Sequence, residues 1–365
     1  MKHPVPGQKL CELETPQLLV DLNRFEANIH HLATYCRDRG KAWRPHCKAN
    51  KSPAIARLLQ ARGATGITCA KLGEAELMVE QGIQSILLAN QIVTPGKFAI
   101  LAHLQREAEV IAAIDNLAIV KPMGTTAIAA DAIIPVVVEL DIGMGRVGIQ
   151  PGAPALALAQ AICAQPGLQF KGLMGYEGHV LDITPPKAKE HACHAALDLL
   201  VQTRDLLIEN GLEVEIVSAG GTGSYELCAR HDGISELQAG GGIFMDAMYR
   251  RTCHVESLQP ALTVLATVTS RAADRVVLDA GFKTLSAYHH PPEVLHREDL
   301  SFRYLSAEHG VFDIAPDCAG PALGQQVELL VGYSDSTTFL HDFFVGIRDG
   351  LVAEIWEISA RGLVR

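Results

Sequence analysis

Residues 134–176 read IPVVVELDIGMGRVGIQPGAPALALAQAICAQPGLQFKGLMGY. An apolar, β-branched run, Ile134–Asp141, leads into a Gly-containing loop. The amphipathic stretch Ala153–Ala164 follows, then a second apolar run, Lys171–Tyr176. A strand that is apolar at nearly every position is buried on both faces, as in a parallel sheet covered by helices. The same unit recurs on either side. Candidate strands fall at Trp43–Cys47, Ile67–Ala70, Ile86–Ala89, Val110–Asp115, Glu215–Ala219 and Ser235–Gln238, with helical stretches at Ala54–Ala61, Glu74–Gln81 and Lys187–Asn210. Asn23–Arg39 predicts a helix ahead of the first strand. Eight strand-then-helix units predict a closed (β/α)8 barrel over residues 23–252. Alternation alone leaves a doubly wound open sheet as the rival, although neither GxGxxG after a first strand nor GxxxxGK[ST] occurs.

After Arg251 the pattern changes. Leu262–Ser270, Arg275–Asp279, Gln326–Val331, Phe343–Arg348 and Leu351–Glu357 are short, β-branched-rich and separated by turn signals. They predict an all-β domain over residues 253–365, with residues 1–22 as an N-terminal segment partly packed on it. Tyr288–His296, rich in Pro and His, is expected to be a long exposed loop.

The 365 residues are 48% hydrophobic and 20% charged, enough for a large core. Net charge is −10 with both signs mixed and no basic patch, which argues against nucleic acid or an anionic membrane as partner. No apolar run approaches the roughly 20 residues of a membrane span. The opening MKHPVPGQKLCELETPQ has no apolar h-region, so a cytoplasmic protein is expected. Nine cysteines without a CxxC pair predict free, buried thiols in a reducing compartment.

In a barrel the active site lies at the carboxyl ends of the strands. Those ends carry Arg44-Pro45-His46-Cys47-Lys48 and Lys51, then Lys71, Asn90-Gln91, Asp141 with Arg146, and Tyr176, Glu177 and His179. The last two strands run into Ser218-Ala219-Gly220-Gly221-Thr222-Gly223-Ser224 and Gly240-Gly241-Gly242. Adjacent Gly-rich loops let backbone N–H groups approach a phosphate, though glycines also simply turn a chain at a barrel rim. Lys48, beside Arg44 and His46, is placed to form a Schiff base, to bind a phosphate, or to stand as a solvated rim charge. A phosphate site with a Schiff-base lysine points to pyridoxal phosphate or to a sugar-phosphate aldolase.

Arg44-Pro-His-Cys-Lys48 resembles the RPHxK cofactor-lysine motif of the D-threonine aldolase and eukaryotic-type D-serine dehydratase family, fold-type III pyridoxal phosphate enzymes related to the alanine racemase barrel. The resemblance extends over nearly the whole chain. Thr15-Pro16 with Val20-Asp21, Asp141-Ile-Gly-Met-Gly-Arg146-Val-Gly148, Tyr176-Glu-Gly-His179, Gly220-Gly-Thr-Gly-Ser224-Tyr225, Phe244-Met-Asp246, Asp279-Ala-Gly-Phe-Lys283 and Glu308-His-Gly310 all look like family motifs. The tail, Leu340–Arg348 through Ala360-Arg-Gly362, is most similar to the 3-hydroxyaspartate aldolase and dehydratase branch.

What the resemblance implies is a pyridoxal 5'-phosphate-dependent lyase acting on a D-configured β-hydroxy amino acid, by aldol cleavage or dehydration. Lys48, Tyr176 and His179 would be catalytic. His46, Lys48, Arg146, Tyr176, Ser218, Gly221, Thr222, Gly223, Gly240 and Gly241 would bind the cofactor, and active sites would be shared across a homodimer. Two positions depart from the pattern. Asn50 stands where a histidine is usual before Lys51. Tyr333 stands where the family has a metal-ligating histidine, leaving Asp335 alone, so no metal site is expected there. A metal-independent racemase using Lys48 and Tyr176 on opposite faces of the cofactor is the alternative, and a non-catalytic pyridoxal-phosphate-binding protein the second. Glu190-His191-Ala-Cys-His194 has ligand-like helical spacing, but on an outer barrel helix such a pair is more often a solvated face. His289-His290 would reach a partner's site or lie at the surface, and Lys283 and Ser286 would organise the β domain.

Overall fold

The computed structural model describes residues 3–365, and contacts along the chain divide it into two units. In chain order the elements begin with β1 (Gln17–Asp21), α1 (Leu22–Arg37), β2 (Ala42–Trp43), α2 (Pro53–Ala61), β3 (Ile67–Cys69), α3 (Leu72–Glu80), β4 (Ser85–Gln91) and α4 (Pro95–Leu104). They continue with β5 (Glu109–Ile114), α5 (Leu117–Ala129), β6 (Ile134–Leu140), α6 (Ala153–Ala164), β7 (Leu168–Gly175), α7 (Pro186–Glu209), β8 (Ile216–Ala219), α8 (Tyr225–Arg230) and β9 (Glu236–Leu237).

The first unit holds Leu32–Lys48, Ala56–Gly240 and Leu363–Arg365. Its eight strands run parallel in the order β2-β9-β8-β7-β6-β5-β4-β3. Closure, which alternation could not decide, is visible in the bonds between the two ends of that order. Thr65 N–H donates to Trp43 O at 2.8 Å, Thr68 N–H donates to Pro45 O at 3.0 Å, and His46 bridges to Thr68 in parallel. β6 is buried at every position, as its Val-rich sequence requires. Leu87, Ile111, Ala113, Val137 and Met174, from four neighbouring strands and no helix, form one buried cluster, which marks the barrel interior. Two residues beyond Val137 on the same face comes Glu139, so the interior turns from apolar to polar toward the carboxyl ends.

The second unit holds Ala49–Ile55, Gly241–Gly362 and the described residues within Met1–His31. Its boundary falls after Gly240, ahead of the expected 252. Its strands are β10 (Leu262–Arg271), β11 (Arg275–Leu278), β12 (Glu293–Val294), β13 (Leu300–Leu305), β14 (Gly310–Ile314), β15 (Gln326–Leu330), β16 (Phe343–Arg348) and β17 (Leu351–Glu357), with a short helix, α9 (Ser334–Thr338). The order is β13-β14-β11-β10-β1-β16-β17, and β15 pairs with β10 and β12. β1 lies between β10, antiparallel, and β16, parallel. Leu13, Leu19, Leu265, Val345 and Val352 fill one core, and Phe25, Phe244, Phe344 and Trp356 stack in another with ring centroids 5.1–5.7 Å apart.

Two expectations need correction. Tyr288–His296 is not exposed throughout: Pro292 and Val294 are buried, and Glu293–Val294 pairs with β15. The cysteines are all free, but Cys11, Cys163 and Cys318 are exposed rather than buried.

Candidate active site

Lys48 lies half-buried in the short turn Cys47–Ala49 that follows the first barrel strand. Its backbone N–H donates to His46 Nδ1 at 3.3 Å, which ties the turn to the strand's last ring. His46 N–H in turn donates to Gln238 O at 3.0 Å. The Gly240 turn lies against the same segment: a Cβ at Gly240 would sit 2.2 Å from His46 O, so only glycine fits there.

Tyr176 directly follows β7. Its ring packs over Gly221, where a Cβ would lie 2.9 Å from Tyr176 Cε2. The Arg146 guanidinium stands 5.7 Å from the same ring's centroid, within cation–π range. Arg146 is exposed, and the loop presenting it is built by two aspartates. Asp141 Oδ1 accepts the N–H groups of Gly143 (3.1 Å) and Gly145 (2.9 Å), and Asp115 Oδ2 accepts that of Gly148 (3.1 Å). The bond from Gly145, with help from Gly143 and Met144, holds the Asp141 carboxyl below its ordinary range. Asp115, directly after β5, thus anchors the end of this loop.

The remaining candidates separate. Thr222 and Gly223 are buried in the loop after β8. Ser218 Oγ donates to Glu236 Oε1 at 2.8 Å and accepts Gln238 Nε2 at 3.0 Å, placing it in a buried network. That network continues to Arg44, whose Nε meets Glu236 Oε2 at 2.7 Å. His179 is exposed and packs at Gly143, where a Cβ would lie 2.6 Å from His179 Nε2. Gly241 belongs to the strand-rich unit, where a Cβ would lie 2.8 Å from Tyr249 Cε2. His191 is exposed, while His194 turns edge-on to His231 with ring centroids 5.5 Å apart.

The sequence assigned no role to three side chains. Glu139 is buried in the barrel and accepts Gln91 Nε2; burial lifts its carboxyl above the usual range against that bond. Glu177, fully buried, accepts Ser224 Oγ, and Lys189 Nζ donates to Gly223 O at 2.8 Å. Glu177 lay inside a quoted motif, but Lys189 looked like any lysine on an outer helix.

In the strand-rich unit, Tyr333 Oη donates to Asp335 Oδ2 at 2.7 Å, and the His289 ring stands edge-on to Tyr333 with centroids 5.1 Å apart. Lys283 pairs with Glu308 at 2.7 Å, and Ser286 Oγ accepts Tyr288 N–H at 3.1 Å. Asp246 is fully buried and accepts Tyr249 N–H (2.9 Å), Ser334 N–H and Ser334 Oγ (both 2.8 Å).

Comparison with known proteins matches residues 20–248 to the alanine racemase N-terminal domain and residues 261–347 to a putative serine dehydratase domain. A D-threonine aldolase from Arthrobacter sp. is 39% identical over 99% of this chain and 96% of its own. A 3-hydroxy-D-aspartate aldolase from Paracoccus denitrificans is 33% identical over 98% of this chain and 95% of its own. The crystal structure of D-threonine aldolase from Filomicrobium marinum superposes with a TM-score of 0.96 at 36% identity, covering 99% of both chains. That of D-threo-3-hydroxyaspartate dehydratase from Delftia sp. HT23 gives 0.85 at 25% identity over 96% of this chain and 98% of that one. The chain therefore belongs to the alanine racemase N-terminal-domain family, in the group that joins this barrel to a serine-dehydratase-type domain and includes D-threonine aldolase.

Proposed function

We propose that this chain is a pyridoxal phosphate-dependent lyase that cleaves or dehydrates D-configured β-hydroxy amino acids such as D-threonine or 3-hydroxy-D-aspartate. The observation that carries the reading is the full-length likeness to D-threonine aldolase, at 39% identity. The donor set suits the cofactor. Lys48 offers a primary amine at the first strand's end, Arg146 and Tyr176 stand together, and the loop after β8 approaches Tyr176 at a position where no side chain fits. Lys48 would hold the cofactor, with His46 and Gly240 beside it; Gly221, Thr222 and Gly223 would receive its phosphate. When bound, the group supplies an electron sink that weakens the bonds at the substrate Cα. Lys48 Nζ and Tyr176 Oη are the groups that would exchange protons there, and Arg146 would restrain the charge on the cofactor's ring oxygen.

The divalent metal implied by the family resemblance does not suit the corresponding residues. The Tyr333 phenol donates its proton to a hydrogen bond with Asp335 Oδ2 where an imidazole would offer a lone pair, and a neutral phenol is a poor ligand for a divalent ion. The reading therefore takes the reaction to be metal-independent. It also takes the protein to be cytoplasmic, in keeping with its nine free cysteines, and to be a homodimer, as the family resemblance implies.

The decisive experiment is product analysis on D-threonine, D-serine and 3-hydroxy-D-aspartate with added pyridoxal phosphate. Aldol cleavage breaks Cα–Cβ, turns the β-hydroxyl into an aldehyde as its proton leaves, and returns a proton to Cα. Dehydration instead removes the Cα proton and the hydroxyl and yields a keto acid after loss of ammonia. Release of either product from the D-isomers supports the reading. Deuterium exchange at Cα without release would make the protein a racemase, and bound cofactor with no turnover of any amino acid would make it a binding protein. The visible band of the bound cofactor, roughly 410–430 nm, is expected to vanish in Lys48→Ala.

A further inference from the structure

The loop Gly220–Ser224 is gripped from the protein side by two buried side chains of opposite charge. Glu177, next to Tyr176, is 0% exposed. Its carboxylate accepts Gly220 N–H at 3.3 Å, Gly221 N–H at 3.4 Å and the Ser224 hydroxyl. Lys189, in the first turn of α7, is 7% exposed, and its Nζ donates to Gly223 O at 2.8 Å. A buried charge is costly unless it is met by good partners. Here both are aimed at the backbone of one five-residue loop.

That loop contains three glycines, which leaves it with a large conformational freedom to lose on binding anything. A cradle that must be ordered at the moment of binding is a weak one, and a cradle ordered in advance is strong. Glu177 fixes the loop's amino end through donors, and Lys189 fixes its middle through an acceptor. We propose that Glu177 and Lys189 are positioning residues that preorganise this loop to receive a phosphate group. The proposal rests on the function inferred above in taking that phosphate to be the one carried by pyridoxal phosphate.

A positioning role aimed at the phosphate predicts an effect that depends on the phosphate. In the full-length protein, Lys189→Met, which keeps the length of the side chain and removes the donor, raises the dissociation constant for pyridoxal phosphate about tenfold or more. The dissociation constant for pyridoxal, which lacks the phosphate, stays within about twofold. Glu177→Gln, which turns an amide NH2 toward existing donors, acts in the same direction, and Lys189→Arg restores most of the loss. Amide hydrogen exchange in both weakened variants rises in the peptide spanning 219–225 more than in the barrel strands. Equal weakening toward both compounds, unchanged affinity, or unchanged exchange in that peptide overturns the proposal. If the unaltered protein binds no pyridoxal phosphate, the function inferred above fails. The exchange measurement then still reads the two residues' hold on the loop.

Discussion

Asp246 shows what burial does to a single carboxyl. No water reaches it, and burial pushes its pKa up to about 7 despite three donated hydrogen bonds; the nearby Asp335 adds to the rise. In the unfolded chain the same group titrates near 3.8. Between those values the folded protein holds a proton that the unfolded chain has released. The group's contribution therefore favours folding most below the unfolded value and is lost as pH rises through about 7. Urea unfolding at a series of pH values from 5 to 8 should show this decline, and Asp246→Asn should flatten it while lowering stability throughout, because an amide NH2 then faces a donor. Gly221 makes a second residue-scale test. A Cβ there would meet the Tyr176 ring at 2.9 Å. Gly221→Ala should therefore displace the ring, costing about 1–3 kcal/mol of stability and a larger share of turnover than of substrate affinity, readable as a fall in kcat.

At the scale of elements, the barrel is closed by short strands and by charge. β2 and β9 are two residues each, and backbone bonds from Ala42 N–H to Ser235 O, Arg44 N–H to Leu237 O and His46 N–H to Gln238 O extend their ladder. Between them runs the buried pair Arg44–Glu236, 2.7 Å long, with Arg44 Nη1 extending to Ser85 Oγ at 2.8 Å on β4. Arg44→Met leaves Glu236 charged and buried, and should cost about 3–5 kcal/mol in denaturant unfolding; adding Glu236→Leu should recover much of it. Burial decides which elements could be read from the sequence. β6, buried on both faces, wrote itself as Ile-Pro-Val-Val-Val, and α6 appears at the expected residues. β13, an edge strand with mostly unburied residues, does alternate as Leu300-Ser-Phe-Arg-Tyr, a short period-2 signal that goes unread beside the longer apolar runs. β1 is apolar at its three central residues, but its partners β10 and β16 lie over 200 residues away, so nothing local announces them. The site was legible in the same uneven way. Lys48, Tyr176 and the Gly-rich loop announce themselves at strand ends. Lys189 and Asp115 act through backbone groups whose positions only the folded chain defines.

At the scale of the whole molecule, likeness to D-threonine aldolase runs from end to end, and the departure at Tyr333 has to be weighed against it. A neutral phenol competes poorly with imidazole for a divalent ion. Tyr333 is also already bonded to the one carboxylate beside it, so an entering ion would have to displace that proton. The expected outcome is that exhaustive dialysis against a chelator leaves turnover of D-threonine within about twofold of the untreated enzyme, with added Mn²⁺ having no effect. Tyr333→His replaces the phenol by an imidazole two residues before Asp335 and releases the carboxylate from its bond. That variant should bind Mn²⁺ measurably by equilibrium dialysis, where the unaltered chain does not. Loss of turnover on chelation, restored by Mn²⁺ in the unaltered chain, would show that Tyr333 and Asp335 part to admit an ion after all. The phenol–carboxylate bond would then be a resting arrangement, and the metal-independent reading would fail while the lyase assignment stood.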